Sequence, residues 1–329
     1  MAHTLKLSIY CFSIRDQRAK DHIIFKEFLN KHFILEGEIK YTVNKDELYR
    51  RFIQSFIDSF ENKFVKNFDK TKAIGVNTYN NIFPKNLIDG MINGGLTGIE
   101  QDIYDPSNSS LVENTIDKDK VSALPYYFKI WMPFDSSLGI LMVQSYTEMG
   151  VTSLFLDKFK QFFKLKEYSF DYERHVPKDY KERFVKKSTI KEIALLKTKL
   201  SKKARTELNS LFTDFEGLKI KITITGFKLD VDKFKEGMEK GRFVHSDLSS
   251  LEIGDESNYE TVATYEDESG RESQARVSKN LDIFPTIVLN DNLKAAGKEF
   301  PDYIKIQNHT DSILEKIKVE LDYSPADVD

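Results

Sequence analysis

Two long apolar runs in the middle of the chain constrain its fold most strongly. They read LPYYFKIWMPF (residues 124–134) and LGILMVQSY (residues 138–146), and three residues, Asp135-Ser136-Ser137, join them. Neither run alternates polar with apolar residues, which is typical of strands that are covered on both faces. We therefore expect two adjacent strands at the centre of a sheet.

Helical patterns flank these runs. Asn44 and Glu47 stand at the two positions of a capping box, ahead of a segment with apolar residues on one face. Residues 152–166 also repeat their apolar residues at helical spacing. Thr189 and Glu192 have capping-box spacing as well, which favours a helix there and leaves a strand as the alternative.

Other segments have the alternating pattern of strands. Residues 5–14 and 218–227 alternate, and residues 259–277 predict a hairpin that turns near Gly270. The polar stretch 105–120 predicts an exposed loop. Residues 311–321 fit either a closing helix or a closing strand.

These patterns predict an α/β N-terminal domain plus an α+β C-terminal domain, built on mixed, mostly antiparallel sheets. We expect the first domain to span residues 1–173 and the second to span residues 215–329. Between them, residues 174–214 form a basic connector with helical character.

Composition narrows the class of protein. Apolar residues make up 40% of the 329 residues and charged residues 31%, which is typical of a soluble globular chain. The single cysteine, Cys11, excludes an internal disulfide and a cysteine-based zinc site. No signal peptide and no apolar run of about 18 residues is present, so we expect a cytoplasmic protein that does not insert into membranes.

Charge is strongly segregated along the chain. Residues 174–205, here called the basic block, hold twelve Lys or Arg against three acids, a charge of +9. The whole chain carries −3, so the remaining residues sum to −12. The twelve cations are the candidate nucleic-acid-binding residues: Arg174, Lys178, Lys181, Arg183, Lys186, Lys187, Lys191, Lys197, Lys199, Lys202, Lys203 and Arg205.

A cluster of this kind has two interpretations. Lysine and arginine neutralise phosphates and release counterions, so the basic block predicts binding of a polyanion. Alternatively, the block binds no polyanion. It is then either a solvated connector or a face that pairs with the acidic hairpin (residues 255–272), which holds seven acids against one base, in the same subunit or a neighbouring one. Aromatic residues within the block are few (Tyr180 and Phe184), so stacking on single strands has little support there.

Candidate catalytic motifs are weaker evidence for function than the basic block. A metal-dependent nuclease would use Asp16 or Asp21 with Glu36, followed by Glu38 and Lys40, because such enzymes hold a divalent cation between acidic oxygens beside a lysine. An acid–x–Lys triplet is common in a chain this rich in Glu and Lys. We assign no catalytic residue, no metal ligand and no cofactor.

The order of elements resembles that of RexA-type prophage exclusion proteins and related bacterial abortive-infection proteins. The likeness lies in the opening strand (5–14), the paired central strands (125–144), the basic middle segment, and a late strand–helix unit (218–238) that precedes the acidic hairpin. The resemblance implies DNA binding, dimerisation and a role in sensing phage infection, without catalysis by this chain.

The sequence as a whole predicts a non-enzymatic protein that binds double-stranded DNA through the basic block. We expect a recognition or sensor subunit of a bacterial anti-phage system, forming a homo-oligomer and acting with a partner effector protein. The alternatives are the metal-dependent nuclease and a scaffold that docks an acidic protein on the basic block.

Overall fold

The two central apolar runs form adjacent antiparallel strands in the computed structural model of the chain. Phe128 lies opposite Val143, and Trp131 lies opposite Ile140. The facing halves of both strands are buried, so the prediction of adjacent, covered strands is confirmed. The structure describes residues 3–36, 38, 43–82, 85–147, 149–197, 200–239, 260–268, 270–277 and 282–323.

The chain divides into two compact units, residues 1–175 with 288–329, and residues 176–287. The strands are β1 Leu5–Asp16, β2 Val65–Lys66, β3 Lys72–Ile82, β4 Leu87–Leu96, β5 Gln101–Asp105, β6 Asn108–Ile116, β7 Ser122–Trp131, β8 Gly139–Tyr146, β9 Tyr168–His175, β10 Thr189–Lys197, β11 Ile220–Ile224, β12 Leu229–Asp230, β13 Glu260–Glu266, β14 Glu272–Val277, β15 Ile283–Pro285 and β16 Ile287–Val288. The helices are α1 Phe25–Phe33, α2 Lys45–Asp58, α3 Thr152–Lys164, α4 Lys178–Lys187, α5 Lys202–Leu208, α6 Val231–Glu239 and α7 Tyr303–Glu320.

The large sheet of the first unit has the strand order β16-β1-β8-β7-β4-β3-β2, and β9 also pairs with β1. Strands β5 and β6 form a separate two-stranded hairpin whose residues are almost all exposed. The predicted loop over residues 105–120 is thus wrong in part. Its exposure is as expected, but residues 108–116 are a paired strand.

Aromatic side chains join the large sheet to its helices. The rings of Phe12 on β1 and Phe159 on α3 lie 5.7 Å apart, and those of Phe56 on α2 and Phe159 lie 5.1 Å apart. All three side chains are buried. Edge-to-face pairs of this kind contribute about 0.5–1.5 kcal/mol each beyond the burial of their area, so the Phe-rich segments form the core of the first unit.

Helix α2 begins where its cap was predicted. The side chain of Asn44 accepts a hydrogen bond of 3.0 Å from the backbone N–H of Asp46. The reciprocal half of the capping box is not used, because the Glu47 carboxylate instead accepts hydrogen bonds from Arg50 and Arg51 at 2.6 and 2.7 Å. The sequence pattern therefore locates the start of the helix correctly and assigns the wrong partner to Glu47.

A buried polar cluster ties helix α7 to the large sheet. Asp89 on β4 is fully buried and accepts hydrogen bonds from the hydroxyls of Tyr127, at 3.0 Å, and Tyr303, at 2.6 Å. The ammonium of Lys129 lies 3.9 Å from Asp89 and donates to Asp311 at 2.5 Å. These groups fix α7 on the sheet because a buried charge is tolerated only when it is paired.

The second unit is a smaller antiparallel sheet with helices on it. Its order is β11-β10-β13-β14-β15, and β12 also pairs with β10. Phe184 of α4 and Phe234 of α6 enter one core with Ile190, Ile193 and Tyr265 of the strands. The predicted strand at 218–227 and the predicted hairpin at 259–277 are confirmed as β11 and as the β13–β14 pair.

The helix favoured from Thr189 onward is wrong, because residues 189–197 form strand β10. Ile193 lies opposite Ile224 on one side and Ala263 on the other, which places β10 between two neighbouring strands. Pairing on both sides overrides the local capping signal. Glu192 accepts a hydrogen bond from the hydroxyl of Thr264, at 3.2 Å, instead of capping a helix.

The predicted fold class is confirmed: the chain is mixed α/β with mostly antiparallel sheets, arranged as two units. The limits of the units differ from those expected at 173 and 215. Residues 176–214 supply α4, β10 and α5 to the second unit, and residues 288–329 belong to the first. Within the described ranges, no helix is both long and apolar enough to cross a membrane.

Candidate nucleic-acid interface

Helix α4 carries the densest group of cations in the chain's basic block. Pro177 precedes its first residue, where a fixed φ and a missing N–H are tolerated. Phe184 is buried against the ring of Tyr265, with centroids 4.7 Å apart, and this contact holds the helix on the sheet. The helix has five cationic residues, Lys178, Lys181, Arg183, Lys186 and Lys187.

Two of these cations converge on one carboxylate of the acidic hairpin. Arg183 donates to Oε1 of Glu268, and Lys187 donates to its Oε2 at 2.5 Å. Residues four apart lie on the same face of a helix, so both side chains reach the same anion. One face of α4 therefore pairs two of its cations with a single carboxylate of the protein's own hairpin.

A third cation extends this contact onto the sheet. Lys191 on β10 donates to Glu272 at 3.0 Å and also pairs with Glu266. The hairpin reaches these positions through a tight turn in which Gly270 has a φ of +76°, a value that favours glycine. We call this set the carboxylate latch: Arg183, Lys187 and Lys191 with Glu266, Glu268 and Glu272.

The carboxylate latch changes the titration of its members. Hydrogen bonds from Lys187 and then Arg183 lower the pKa of Glu268, and the bond from Lys191 lowers the pKa of Glu266. The same contacts raise the pKa of Lys191. Glu266 and Glu268 are therefore carboxylates and Lys191 is an ammonium at neutral pH. Its pairs lie at the surface, where salt screens them and a polyanion can compete for the cations.

The remaining cations of α4 face other surroundings. Lys186 is exposed, and Lys178 is exposed at the first position of the helix. The ammonium of Lys181 lies 5.5 Å from the centroid of the Phe284 ring, a cation–π arrangement. These three side chains extend the positive surface of α4 beyond the carboxylate latch.

The structure divides the rest of the predicted site among several elements. Arg174 lies on β9 opposite Tyr10, in the first unit. Lys202 and Lys203 are exposed on α5, whereas Arg205 of the same helix is buried, and its Nε has no hydrogen-bond partner among the described residues. Lys197 ends β10, and Lys199 lies outside the described residues. The described cations of the basic block are therefore distributed over β9, α4, β10 and α5 and belong to two units.

Glu38, which the nuclease alternative uses as a metal ligand, already has hydrogen-bond donors around its carboxylate. Two nitrogens of Arg51 donate to its carboxylate, at 2.6 and 2.8 Å, and the backbone N–H of Leu35 donates at 2.8 Å. The Arg51 bonds lower the pKa of Glu38 to about 2. Both oxygens of this carboxylate already accept hydrogen bonds, so a metal ion would have to compete with Arg51 for them, and Lys40 lies outside the described residues.

The other acids proposed for that site do not assemble with Glu38. Asp16 accepts a hydrogen bond from the backbone N–H of Arg18, at 3.0 Å, and Asp21 and Glu36 are exposed. Within the part of the chain that the structure describes, no group of three or more His, Cys, Asp or Glu side chains is placed to hold a metal ion.

One feature beside the basic block is not evident from the sequence pattern. Helical spacing continues to Phe215, but helix α5 ends at Leu208 and a 3-10 turn, Ser210–Phe212, follows. Asn209 signals this change, because its side chain caps the turn by accepting from the N–H of Leu211 at 2.9 Å. Phe212 and Phe215 are thereby left exposed instead of entering a core.

No family model matches the chain, and no curated protein or solved structure matches it.

Proposed function

We propose that the protein binds nucleic acid through helix α4, with double-stranded DNA as the ligand. The observation that supports this most is the convergence of Arg183 and Lys187 on the single carboxylate of Glu268. A carboxylate and a phosphate are both compact anions that accept charge-assisted hydrogen bonds. The same two donors would grip one backbone phosphate, with Lys178, Lys181 and Lys186 beside it.

The acidic hairpin acts in this proposal as an internal competitor. Glu266, Glu268 and Glu272 occupy the cations that the DNA backbone would use, so DNA has to displace them. Phosphate contacts carry no information about base sequence, so binding is largely independent of sequence. The hairpin therefore reduces the affinity for isolated phosphates more than the affinity for a polyanion that meets several cations together.

We further propose that the protein is a recognition or sensor subunit of a bacterial anti-phage defence system. It rests on the resemblance in element order to RexA-type exclusion proteins, which implies DNA binding without catalysis. In this account the chain works in the cytoplasm as a homo-oligomer, and a partner protein carries the effector activity.

Fluorescence anisotropy with a labelled duplex tests the proposal. Wild-type protein is compared at about 50 and about 200 mM salt, and we expect affinity to fall on the order of several hundred-fold if all five cations of α4 meet phosphates. The test variant is Lys178→Glu/Lys186→Glu, which leaves the carboxylate latch intact. The matched control is Lys233→Glu/Lys235→Glu, the same change of charge on helix α6 of the same unit.

Loss of binding in the α4 variant with retention in the α6 control supports the assignment. Equal loss in both variants would mean that only net charge matters. No binding by wild type at low salt would contradict DNA binding. It would favour the scaffold alternative, in which a protein partner that survives nuclease treatment co-purifies with the chain.

A further inference from the structure

The connection between β10 and β11 forms an exposed apolar corner. Its side chains have large exposed fractions: 75% for Leu211, 62% for Phe215, and 38% each for Leu208 and Phe212. The rings of Phe212 and Phe215 lie 6.4 Å apart at 73° to each other. Clustered exposed aromatic residues on a soluble unit mark a binding surface more often than chance, because water solvates them poorly.

Cations flank this corner along the chain. Lys202 and Lys203 are exposed on α5 just before it, and Lys219 and Lys221 are exposed just after it. Over residues 197–221 there are seven Lys or Arg (197, 199, 202, 203, 205, 219 and 221) and three acids (207, 214 and 216), a charge of +4. In contrast to the cations of the carboxylate latch, Lys202, Lys203, Lys219 and Lys221 make no ion pair with the described residues of the acidic hairpin. Lys203 pairs with Glu207 on its own helix.

We propose that this aromatic corner binds single-stranded nucleic acid. Phe212 and Phe215 would stack on successive unpaired bases while Lys202, Lys203 and Lys221 meet the phosphates between them. Every base has a π-face, so exposed aromatic rings with a cationic rim recognise a strand without regard to its sequence. Bases of a duplex are already stacked on one another and cannot use the rings.

This inference rests on the proposed function and extends it from duplex DNA at α4 to unpaired strands at the aromatic corner. An anionic lipid surface is the other ligand that apolar and cationic groups attract. The flanking acids favour the nucleic acid. A flat anionic bilayer that receives Phe215 would also meet Asp214 and Glu216, its neighbours in the chain, whereas a flexible strand need not approach both carboxylates.

The test compares an unstructured labelled oligothymidylate of about 20 nucleotides with a duplex of the same length. We expect Phe212→Ala/Phe215→Ala to lose about tenfold or more in affinity for the single strand, because each stacked base is lost. Duplex affinity should stay within about twofold, since α4 is unchanged. Phe68→Ala is the matched control, as Phe68 is a fully exposed phenylalanine of the first unit.

A second variant reports on stacking directly. The only tryptophan of the chain, Trp131, is 2% exposed, so Phe215→Trp places one accessible indole at the aromatic corner. We expect the single strand to quench this fluorescence and the duplex to leave it unchanged. The Phe215→Trp variant should also keep most of the single-strand affinity that the Phe212→Ala/Phe215→Ala variant loses, because an aromatic ring is still present for a base to stack on.

The outcomes separate the two proposals. If wild type binds the duplex, and wild type and Phe212→Ala/Phe215→Ala bind the single strand equally well, the proposed role of the aromatic corner is wrong. The proposed function would still stand in that case. Binding of neither nucleic acid by wild type would overturn both. Phe-dependent binding to vesicles containing phosphatidylglycerol, without quenching by oligothymidylate, would assign the corner to a lipid surface and overturn the inference.

Discussion

Lys187 on helix α4 donates a 2.5 Å hydrogen bond to Glu268, a residue 81 positions later in the chain. The contact joins the most cationic helix of the protein to its most acidic turn, and Arg183 reaches the same carboxylate. Segregated charges of opposite sign thus meet within one unit. In the proposed function DNA would have to displace this carboxylate, so the strength of the internal ion pairs would set the affinity for DNA.

Removing the charge of Glu268 should raise affinity for duplex DNA. Glu268→Gln keeps the shape of the side chain but frees Arg183 and Lys187, so we expect several-fold tighter binding in anisotropy at fixed salt. Glu260→Gln is the matched control, because Glu260 is exposed on the same hairpin and stands outside the carboxylate latch. Equal gains in both variants would show that net charge alone is responsible.

Lys129 should be essential to the stability of the first unit. Lys129→Met leaves Asp89 buried without its nearby positive charge, so we expect the free energy of unfolding to fall by about 3–5 kcal/mol. Urea unfolding followed by Trp131 fluorescence reports on this unit, since the indole is buried in β7. Lys63→Met removes an exposed surface pair and should change stability by no more than about 0.5 kcal/mol; a similar loss in both variants would contradict the role of Lys129.

His32 should make the first unit less stable in mild acid. Burial, and then the charges of Lys166 and Lys31, lower the pKa of His32, and its Nε2 is buried without a partner among the described residues. A histidine whose pKa is lower in the folded state contributes its full stabilisation of the fold above the pKa of the unfolded state, about 6.5. This stabilisation is lost as the pH falls through the pKa of the folded state.

The measurement is urea unfolding of wild type and His32→Phe at about pH 7.5 and about pH 5.5. Wild type should lose more stability between the two values, because phenylalanine has no proton to bind. His309 has a lowered pKa as well, so some dependence on pH should remain in the variant. Identical pH dependence of the two proteins would rule out a contribution from His32.

The cap of α2 should contribute measurably to folding. Asn44→Ala removes the acceptor for the N–H of Asp46 and should cost about 1 kcal/mol of unfolding free energy. Asn44→Asp supplies an equivalent oxygen and should restore most of that loss. Failure of aspartate to restore stability would mean that Asn44 acts through another contact.

Local signals in the sequence predicted the elements that depend on local chemistry. The uninterrupted apolar runs predicted β7 and β8, and the cap at Asn44 predicted the start of α2. The glycine of the turn after β13 predicted the hairpin. Each of these depends on residues within a few positions of one another, which is the distance that a sequence pattern reports.

These local signals could not predict pairing between residues that are far apart in the sequence. Thr189 and Glu192 imitate a capping box, yet β10 is a strand because β11 and β13 pair with it on both sides. The return of residues 288–329 to the first unit depends on partners such as Lys129 and Asp311, which are 182 positions apart. No local pattern encodes such a pairing.

In the candidate site, too, some features follow from local sequence and others only from the fold. The charge count identified the cations of α4, and the acidic hairpin was one of two predicted partners for them. Which cation meets which acid follows only from the fold, as does the burial of Arg205. The exposure of Phe212 and Phe215 also follows only from the fold, in which α5 ends at Leu208.

The most direct test of the central claim is lysine footprinting of the unmodified protein with and without duplex DNA. Amine acylation followed by mass spectrometry compares each lysine in the two states. We expect DNA to protect Lys178, Lys181 and Lys186 on α4 and to leave Lys233 on α6 and Lys63 in the first unit unchanged. Protection spread evenly over all exposed lysines, or confined to lysines outside α4, would contradict it.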